Sequence, residues 1–357
     1  MIKNYDLTEL NTFGIPARAK FFVELNNELD LEELFISPEF KNNKKLFLGG
    51  GSNILFTKDF DGIVVLNKLK GIEILEEDSE SVLIKSMGGE VWHDLVLFAV
   101  DREYWGIENL SLVPGTVGAA PMQNIGAYGV EIKDVLENVE AYEIENGEKR
   151  VFSNKECEFR YRESIFKNKL KGKYFISAVI LKLSKKPKPN LSYKILLEYL
   201  EKPARTTGVV QSGGNKIEIR NVKDISNAVI EIRKSKLPDP KVLGNAGSFF
   251  KNVFVEKDKL EELKQSYPDM PSFEEPSFAK ASAGEDGMVK IPAGWLIEQC
   301  GWKGKKIGNV GVHEKQALIL VNYGGATGEE IKNLSDQIIS SVFSKFNITL
   351  AREVNLI

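Results

Sequence analysis

Two hydrophobic periods alternate along the chain. KKLFL (44–48), GIVVLN (62–67), SVLIKSM (81–87), NVEAYEIE (138–145), KYFISAVILKL (173–183) and ALILVN (317–322) are short apolar runs rich in β-branched and aromatic residues, which predicts strands. In EVWHDLVLFAVD (90–101), Trp92, Leu95, Val96 and Ala99 fall instead on one helical face. VKDISNAVIEIRKSK (222–236) repeats that spacing with Val222, Ile225, Val229 and Ile232. It stops before Leu237-Pro238, because a proline pushes the residue ahead of it out of the helical region. Asp30 with Glu33 predicts the start of a short helix whose Leu31, Leu34 and Phe35 are apolar; Thr327 with Glu330 predicts a long one with Ile331, Leu334, Ile338 and Val342 inward. Asn146-Gly147 predicts a hairpin turn, and the terminal NITLAREVNLI (347–357) reads as a strand. Strands and helices mix without strict βαβ alternation, so the expected class is α+β.

Between these elements the backbone is punctuated. GGGSN (49–53) follows the first apolar run, and SLVPGTVGAAPMQNIGAYG (111–129) follows the helix of 90–101. The longer stretch carries almost no charge; Gly115, Gly118, Gly126 and Gly129 open it to positive φ, while Pro114 and Pro121 bar an uninterrupted helix. A neutral, tightly turned backbone with free N–H groups suits a phosphate held by main-chain amides. On local grounds a pair of tight turns in a buried crossing explains it as well. KKPKPNLSYK (185–194) reads as a basic linker, RTTGVVQSGGNK (205–216) as a polar loop, KVLGNAGSFFKN (241–252) as a glycine turn and PSFEEPSFAKASAGEDG (271–287) as a flexible surface insertion.

Composition narrows the classes. With 357 residues, 42% of them hydrophobic, the chain has room for two or three domains and a large core. A net charge of −3 leaves no basic excess to neutralise nucleic acid. Cys157 and Cys300 form no CxxC pair, so neither a disulfide framework nor zinc is indicated. MIKNYDLTEL lacks the apolar core of a signal peptide and no run reaches the roughly 18 apolar residues of a membrane span, so a cytoplasmic protein without membrane insertion is expected. The P-loop, GxGxxG, HExxH and GxSxG patterns are missing, and His93 and His313 are the only histidines. An enzyme of this composition places its difficult chemistry in a cofactor.

GGGSN and PGTVGAAPMQNIGAYG, about 60 residues apart, resemble the paired loops of the UDP-N-acetylenolpyruvoylglucosamine reductases. NTFGIPARA (11–19), CEFRYRESIFK (157–167), KLPDPKVLGNAGSFFKN (236–252), AGWLIEQCGWKG (293–304) and AREV (351–354) continue the resemblance over nearly the whole chain. It implies three domains: 1–68 with 347–357, and 69–235, form a vanillyl-alcohol-oxidase-type (PCMH) FAD-binding unit, and 236–346 binds a UDP-sugar. Noncovalent FAD, NADPH as reductant, UDP-N-acetylglucosamine enolpyruvate as substrate and a monomer are the implied partners and state. The flavin diphosphate would lie against Gly49, Gly50, Gly51, Ser52 and Asn53 on one loop. On the other it would meet Pro114, Gly115, Thr116, Gly118, Ala119, Ala120, Gln123, Asn124, Ile125, Gly126, Ala127, Tyr128 and Gly129. Some relatives carry serines where Ala119 and Ala120 stand, so main-chain contacts dominate here. NLSYK resembles the substrate loop of the tyrosine-bearing form of the family, placing Tyr193 over the uridine end.

In such enzymes the flavin, reduced by NADPH, passes hydride to the enolpyruvyl double bond, and charge develops on the α-carbon and its carboxylate. By motif match Arg162 and Glu353 serve that carboxylate and Ser248 protonates the carbon. Tyr161, Arg233, Lys236, Lys251 and Asn252 are the further substrate-binding candidates. On local pattern alone FRYRESIFKNKLKGK is a solvated basic surface, Ser248 a turn serine and Glu353 a strand-edge charge; their roles come from the resemblance. Two rivals stand beside this reading: an oxidase sharing the paired loops, and a non-catalytic nucleotide-binding module.

Overall fold

The computed structural model describes residues 1–201, 209–212, 215–218, 221–273 and 288–357. The insertion read at 271–287 lies almost wholly outside them. Within and just beyond the loop read at 205–216, Val209–Ser212 and Asn215–Glu218 are described, and they pair as antiparallel strands. Contacts divide the chain into two compact units: Met1–Lys3, Phe21–Gly50 and Asp61–Ser235, and Asn4–Lys20, Gly51–Phe60 and Lys236–Ile357. These boundaries differ from the three implied segments. Most of 1–68 folds in one body with 69–235, and 347–357 folds with 236–346.

The first unit is built on an antiparallel five-stranded sheet ordered Lys149–Ser153, Leu136–Glu143, Tyr174–Ser184, Ser81–Met87, Ile72–Glu77. Its central strand, Tyr174–Ser184, is buried almost throughout because both faces are covered. Ile176, Val179 and Leu181 belong to the core formed with Trp92, Leu95, Val96 and Ala99 of the helix Trp92–Asp101 and with Ile225, Val229 and Ile232 of the helix Val222–Lys236. Phe175 joins a second core with Leu31, Leu34, Phe35, Ile63 and Val65. The periods read from the sequence thus land on the buried faces. In a smaller sheet Lys44–Leu48 runs parallel to Phe60–Asn67 and delivers the chain into the first glycine loop.

The helix Leu29–Ile36 is not opened by Asp30, as the sequence suggests. It starts earlier, and Asn27 Oδ1 accepts the Asp30 N–H at 3.0 Å, because the short amide two residues upstream of the helix already reaches that donor. In the second unit the predicted start at Thr327 is confirmed: Thr327 Oγ1 takes the Glu330 N–H at 3.2 Å and the Glu330 carboxylate takes the Thr327 N–H at 2.7 Å. The resulting helix, Gly328–Phe346, buries Ile331, Leu334, Ile338, Val342 and Phe346 in a core shared with Phe13, Phe249, Leu296 and Leu320. The C-terminal segment is not one strand. Arg352 bridges Phe250, and only Asn355–Leu356 forms a regular pairing, parallel to Ile54–Leu55. No described helix is long and apolar enough to cross a membrane, and no cluster of potential metal ligands occurs among the described residues.

Candidate flavin and sugar-nucleotide site

In the first unit the glycine stretch is pinned to the end of the main sheet. Gly115 O accepts the Trp92 N–H at 3.0 Å, the Val117 N–H donates to Glu90 O at 2.9 Å, and the Gly118 N–H donates to Gly88 O at 2.8 Å. A side chain on Gly118 would put its Cβ 3.0 Å from Gly88 Cα, so this glycine serves the packing. The two glycine loops abut. A Cβ on Gly49 would fall 2.2 Å from Thr116 Oγ1, and one on Gly50 would fall 3.1 Å from Gly115 Cα. Their glycines therefore let one loop lie against the other. What remains for a ligand is polar and neutral. Among the described residues the N–H groups of Gly50, Gly115 and Thr116 have no protein acceptor, and the buried Thr116 hydroxyl has no partner. Undonated main-chain amides beside an unused hydroxyl fit the acceptor oxygens of a diphosphate.

Further along, Gly126–Ala127 pairs with Val130–Glu131 about a tight turn whose central residues, Tyr128 and Gly129, both have positive φ, 49° and 84°. Facing it is a second two-residue turn. Arg160 and Glu163 exchange both backbone hydrogen bonds at 3.1 Å, leaving Tyr161 and Arg162 at the tip. The guanidinium of Arg162 donates to Gly126 O at 2.8 Å and lies 5.4 Å from the Tyr161 ring. Asn124 Nδ2 donates to Arg160 O at 3.1 Å, and Ser164 Oγ to Met122 O at 2.6 Å, so the turn is fastened to the glycine stretch on both sides of its tip. Asn124 and Arg162 also sit at positive φ, 45° and 54°. Left-handed backbone at a non-glycine residue costs about 1–3 kcal/mol, and clusters of it are a mark of functional sites.

Tyr128 also meets the tyrosine segment. Its ring packs edge-on against Tyr193 at 5.3 Å, and its hydroxyl hydrogen-bonds Arg233. Burial holds the Arg233 guanidinium below its ordinary value; the charge of Arg162 adds to that, while Tyr128 opposes it. Arg233 Nε is buried with no hydrogen-bond partner. Two guanidinium groups that disfavour each other, with a buried Nε–H on Arg233 that meets no acceptor, suit an anion. Arg162, Tyr161, Tyr193 and Arg233 are thus all drawn to the glycine stretch. The sequence offered no sign that Asn109 and His93 would join them, since neither lies in a motif. The Leu112 N–H donates to His93 Nδ1 at 2.9 Å, and Asn109 ties Tyr128 to Asn190.

The second unit holds Ser248 and Glu353. Phe249 O accepts the Glu353 N–H at 2.8 Å and Ala351 O the Lys251 N–H at 2.9 Å, which sets Ser248 and Glu353 one register step apart on two segments joined by the Phe250–Arg352 bridge. On the other side Ser248 bridges Ile319. Asn53 of the first loop joins this edge: its amide donates to Glu353 O at 3.3 Å, and its own carbonyl accepts the Asn355 N–H at 3.1 Å. Gly51 lies at φ 62° beneath Leu10, and Ser52 is half-buried beside it. Ser248 is exposed and Glu353 half-buried. Asn252 has structural employment, since its Oδ1 accepts the Ala293 N–H at 3.1 Å. Lys236 closes the helix Val222–Lys236, and Lys251 follows Phe250 on the segment that carries Ser248.

Two family models match separate stretches of the chain. Residues 19–153 match the FAD binding domain model, and residues 239–357 match the C-terminal domain of UDP-N-acetylenolpyruvoylglucosamine reductase. A UDP-N-acetylenolpyruvoylglucosamine reductase of Flavobacterium johnsoniae is 49% identical, covering 99% of this chain and 98% of the relative. One from Neisseria gonorrhoeae is 45% identical over 98% of this chain and 95% of its own. A crystal structure of the Thermus caldophilus UDP-N-acetylenolpyruvylglucosamine reductase shares the fold, with a TM-score of 0.63 at 21% identity over 100% of this chain and 98% of that one. The fold is α+β with a flavin-binding portion, as the loops implied. With its two abutting glycine loops and a near full-length match at up to half identity, the chain belongs to the UDP-N-acetylenolpyruvoylglucosamine reductase family.

Proposed function

We propose that this chain reduces the enolpyruvyl ether of UDP-N-acetylglucosamine enolpyruvate to UDP-N-acetylmuramate for peptidoglycan synthesis, with noncovalent FAD and NADPH. The observation that carries the site is the meeting of Gly49 and Gly50 with Gly115 and Thr116, which leaves undonated N–H groups and a free hydroxyl for a flavin diphosphate. When bound, FAD reduced by NADPH supplies the hydride that adds to the double bond.

The protein's own groups do the rest. Arg162, its backbone strained and its turn fastened at Asn124 and Ser164, presents a planar fork to the enolpyruvyl carboxylate. Its position is over-determined, so little reorganisation is needed as charge develops. Glu353 acts at the same carboxylate. Ser248, which is exposed, gives its hydroxyl proton to the substrate α-carbon; a serine can do this only to a strongly basic, carbanion-like centre held against it. Tyr161, Tyr193, Arg233, Lys236, Lys251 and Asn252 bind the sugar nucleotide, and residues 49–53 and 114–129 bind the flavin. In this reading the segments 1–68 with 347–357, 69–235 and 236–346 are three functional parts, the last receiving the UDP-sugar. A monomer working in the cytoplasm belongs to the same proposal, and light scattering of the purified protein checks its oligomeric part.

Flavin-loaded protein should consume NADPH much faster when UDP-N-acetylglucosamine enolpyruvate is added; no substrate-dependent turnover would sink the proposal. Ser248→Ala should keep reduction of the flavin by NADPH and lose reduction of the substrate. Equal loss of both would remove the acid role.

A further inference from the structure

Asn109 is fully buried, at 0% exposure, on a turn that nothing in the proposed chemistry employs. The turn is a fixed shelf. Trp92 Nε1 donates to Leu110 O at 3.1 Å, Ser111 Oγ donates to Glu108 O at 2.7 Å, and the buried hydroxyls of Ser111 and Ser226 bond at 2.8 Å, tying the shelf to the helix that bears Arg233. Glu108 Oε2 accepts the Gly106 N–H at 2.6 Å and closes the turn from the other side.

From this shelf the Asn109 amide reaches two separate segments. Nδ2 donates one hydrogen to Tyr128 O at 2.8 Å and the other to Asn190 O at 2.9 Å. Oδ1 is buried and has no partner, which leaves the amide's orientation unambiguous: turned over, it would set an oxygen against two carbonyls. Asn190 completes the join by donating from Nδ2 to Gly129 O at 3.0 Å. Gly129 suits this approach, since it sits at φ 84° and a Cβ there would fall 2.5 Å from Ser192 Oγ. The join ends at Tyr193, whose ring rests on Tyr128 while remaining 47% exposed.

We propose that Asn109 is a positioning residue that latches the segment 190–193 onto the glycine stretch and so sets the fraction of molecules in which Tyr193 is placed for the sugar nucleotide. The inference rests on the proposed role of Tyr193 in substrate binding. Only an asparagine of this size supplies two divergent N–H donors; alanine supplies none, and an aspartate would set negative oxygens against two carbonyls. If Asn109→Ala reduces the docked population to about a tenth, the apparent KM for the sugar nucleotide rises about tenfold while chemistry in the saturated enzyme is kept.

The test uses flavin-loaded full-length protein, comparing wild type, Asn109→Ala, Tyr193→Ala and the double variant. Asn109→Ala should raise the KM for UDP-N-acetylglucosamine enolpyruvate about tenfold, with kcat and NADPH-driven flavin reduction within about twofold of wild type. The double variant should be no worse than Tyr193→Ala alone, because the latch acts only through that tyrosine. An unchanged KM, or an additive loss in the double variant, overturns the proposal. If Asn109→Ala does not fold with flavin bound, Asn190→Ala, which removes the bond to Gly129 from the exposed side, carries the same expectation. Amide hydrogen exchange over 190–194 gives a reading independent of turnover. It should quicken in Asn109→Ala, and unchanged exchange rejects the latch even if the wild type proves inactive on this substrate. An inactive wild type with quickened exchange rejects the proposed reaction and keeps the latch.

Discussion

Replacing Gly51 by alanine separates what the fold requires of the first glycine loop from what the cofactor requires. Gly51 sits at φ 62°, and a Cβ there would fall 2.0 Å from Leu10 O, 2.8 Å from Leu10 C and 2.9 Å from Asn11 Cα. The left-handed backbone alone costs an alanine about 1–2 kcal/mol. The overlap is with main chain, so no side chain can swing away. That main chain is held: the buried Asn11 amide donates to Leu7 O at 3.0 Å and Ile15 O at 2.9 Å, and the Thr12 N–H donates to Gly51 O at 3.1 Å. Forcing it aside costs about 1–3 kcal/mol, as for other overpacked sites. The sum, about 2–5 kcal/mol, is a large part of the 5–15 kcal/mol typical of a native protein. Gly308→Ala is the control, for Gly308 has φ 57° with nothing within 4 Å of an added Cβ and so reports the backbone cost alone. Urea unfolding of both variants, without flavin and with it, should show the larger loss for Gly51→Ala in the flavin-free protein. Flavin-free stability equal to that of Gly308→Ala, with only FAD affinity lost, would refute the steric account and return Gly51 to the ligand.

Arg162→Lys keeps the charge but loses the fork, and should lower kcat for substrate reduction about 100-fold or more while leaving flavin reduction by NADPH near wild type. His93 is held neutral: burial pushes its pKa below the ordinary 6.5, Asp94 opposes, Arg233 and Lys234 add to the lowering, and Nδ1 accepts the Leu112 N–H. The unfolded chain therefore takes up the proton first. The contribution of His93 is complete above about pH 6.5 and is lost as the pH falls toward the lower folded value, so His93→Asn should flatten the fall in urea midpoint below that pH. Burial pushes the Cys157 thiol up to about 12, whereas Cys300 is part-exposed with a smaller rise. A thiol reagent at mild pH should modify Cys300 in the native protein and reach Cys157 only on unfolding; rapid native labelling of Cys157 would contradict its burial.

Much of the architecture was legible in local pattern. The apolar spacing of 222–236 and 327–342 placed both long helices, and Thr327 with Glu330 marked a start that the structure realises bond for bond. Asp30 with Glu33 carried the same signature and misled, because Asn27 upstream already satisfied the donor. The strand pair Val209–Ser212 and Asn215–Glu218 was hidden by polar composition, and the C-terminal run looked like a strand although most of its bonds are isolated. Among site residues, Arg162, Ser248 and Glu353 were legible only through motifs, since each is unremarkable in its local setting.

Residue type and short spacing were enough to set the period of each core element, to exclude the P-loop, Rossmann and histidine-based motifs, and to point to the family. Which groups meet follows only from the folded chain. Gly49 lies on Thr116, Arg162 reaches Gly126, Asn53 is fastened to Glu353, and Asn109 gathers Tyr128 and Asn190. These pairs lie from about 20 to 300 residues apart in the chain, and short-range periodicity carries no information on contacts at that range. The second glycine stretch shows the difference most plainly. Its glycines announced a tight backbone, but whether they made room for a ligand, for Gly88 or for the other loop depended on what packed against them.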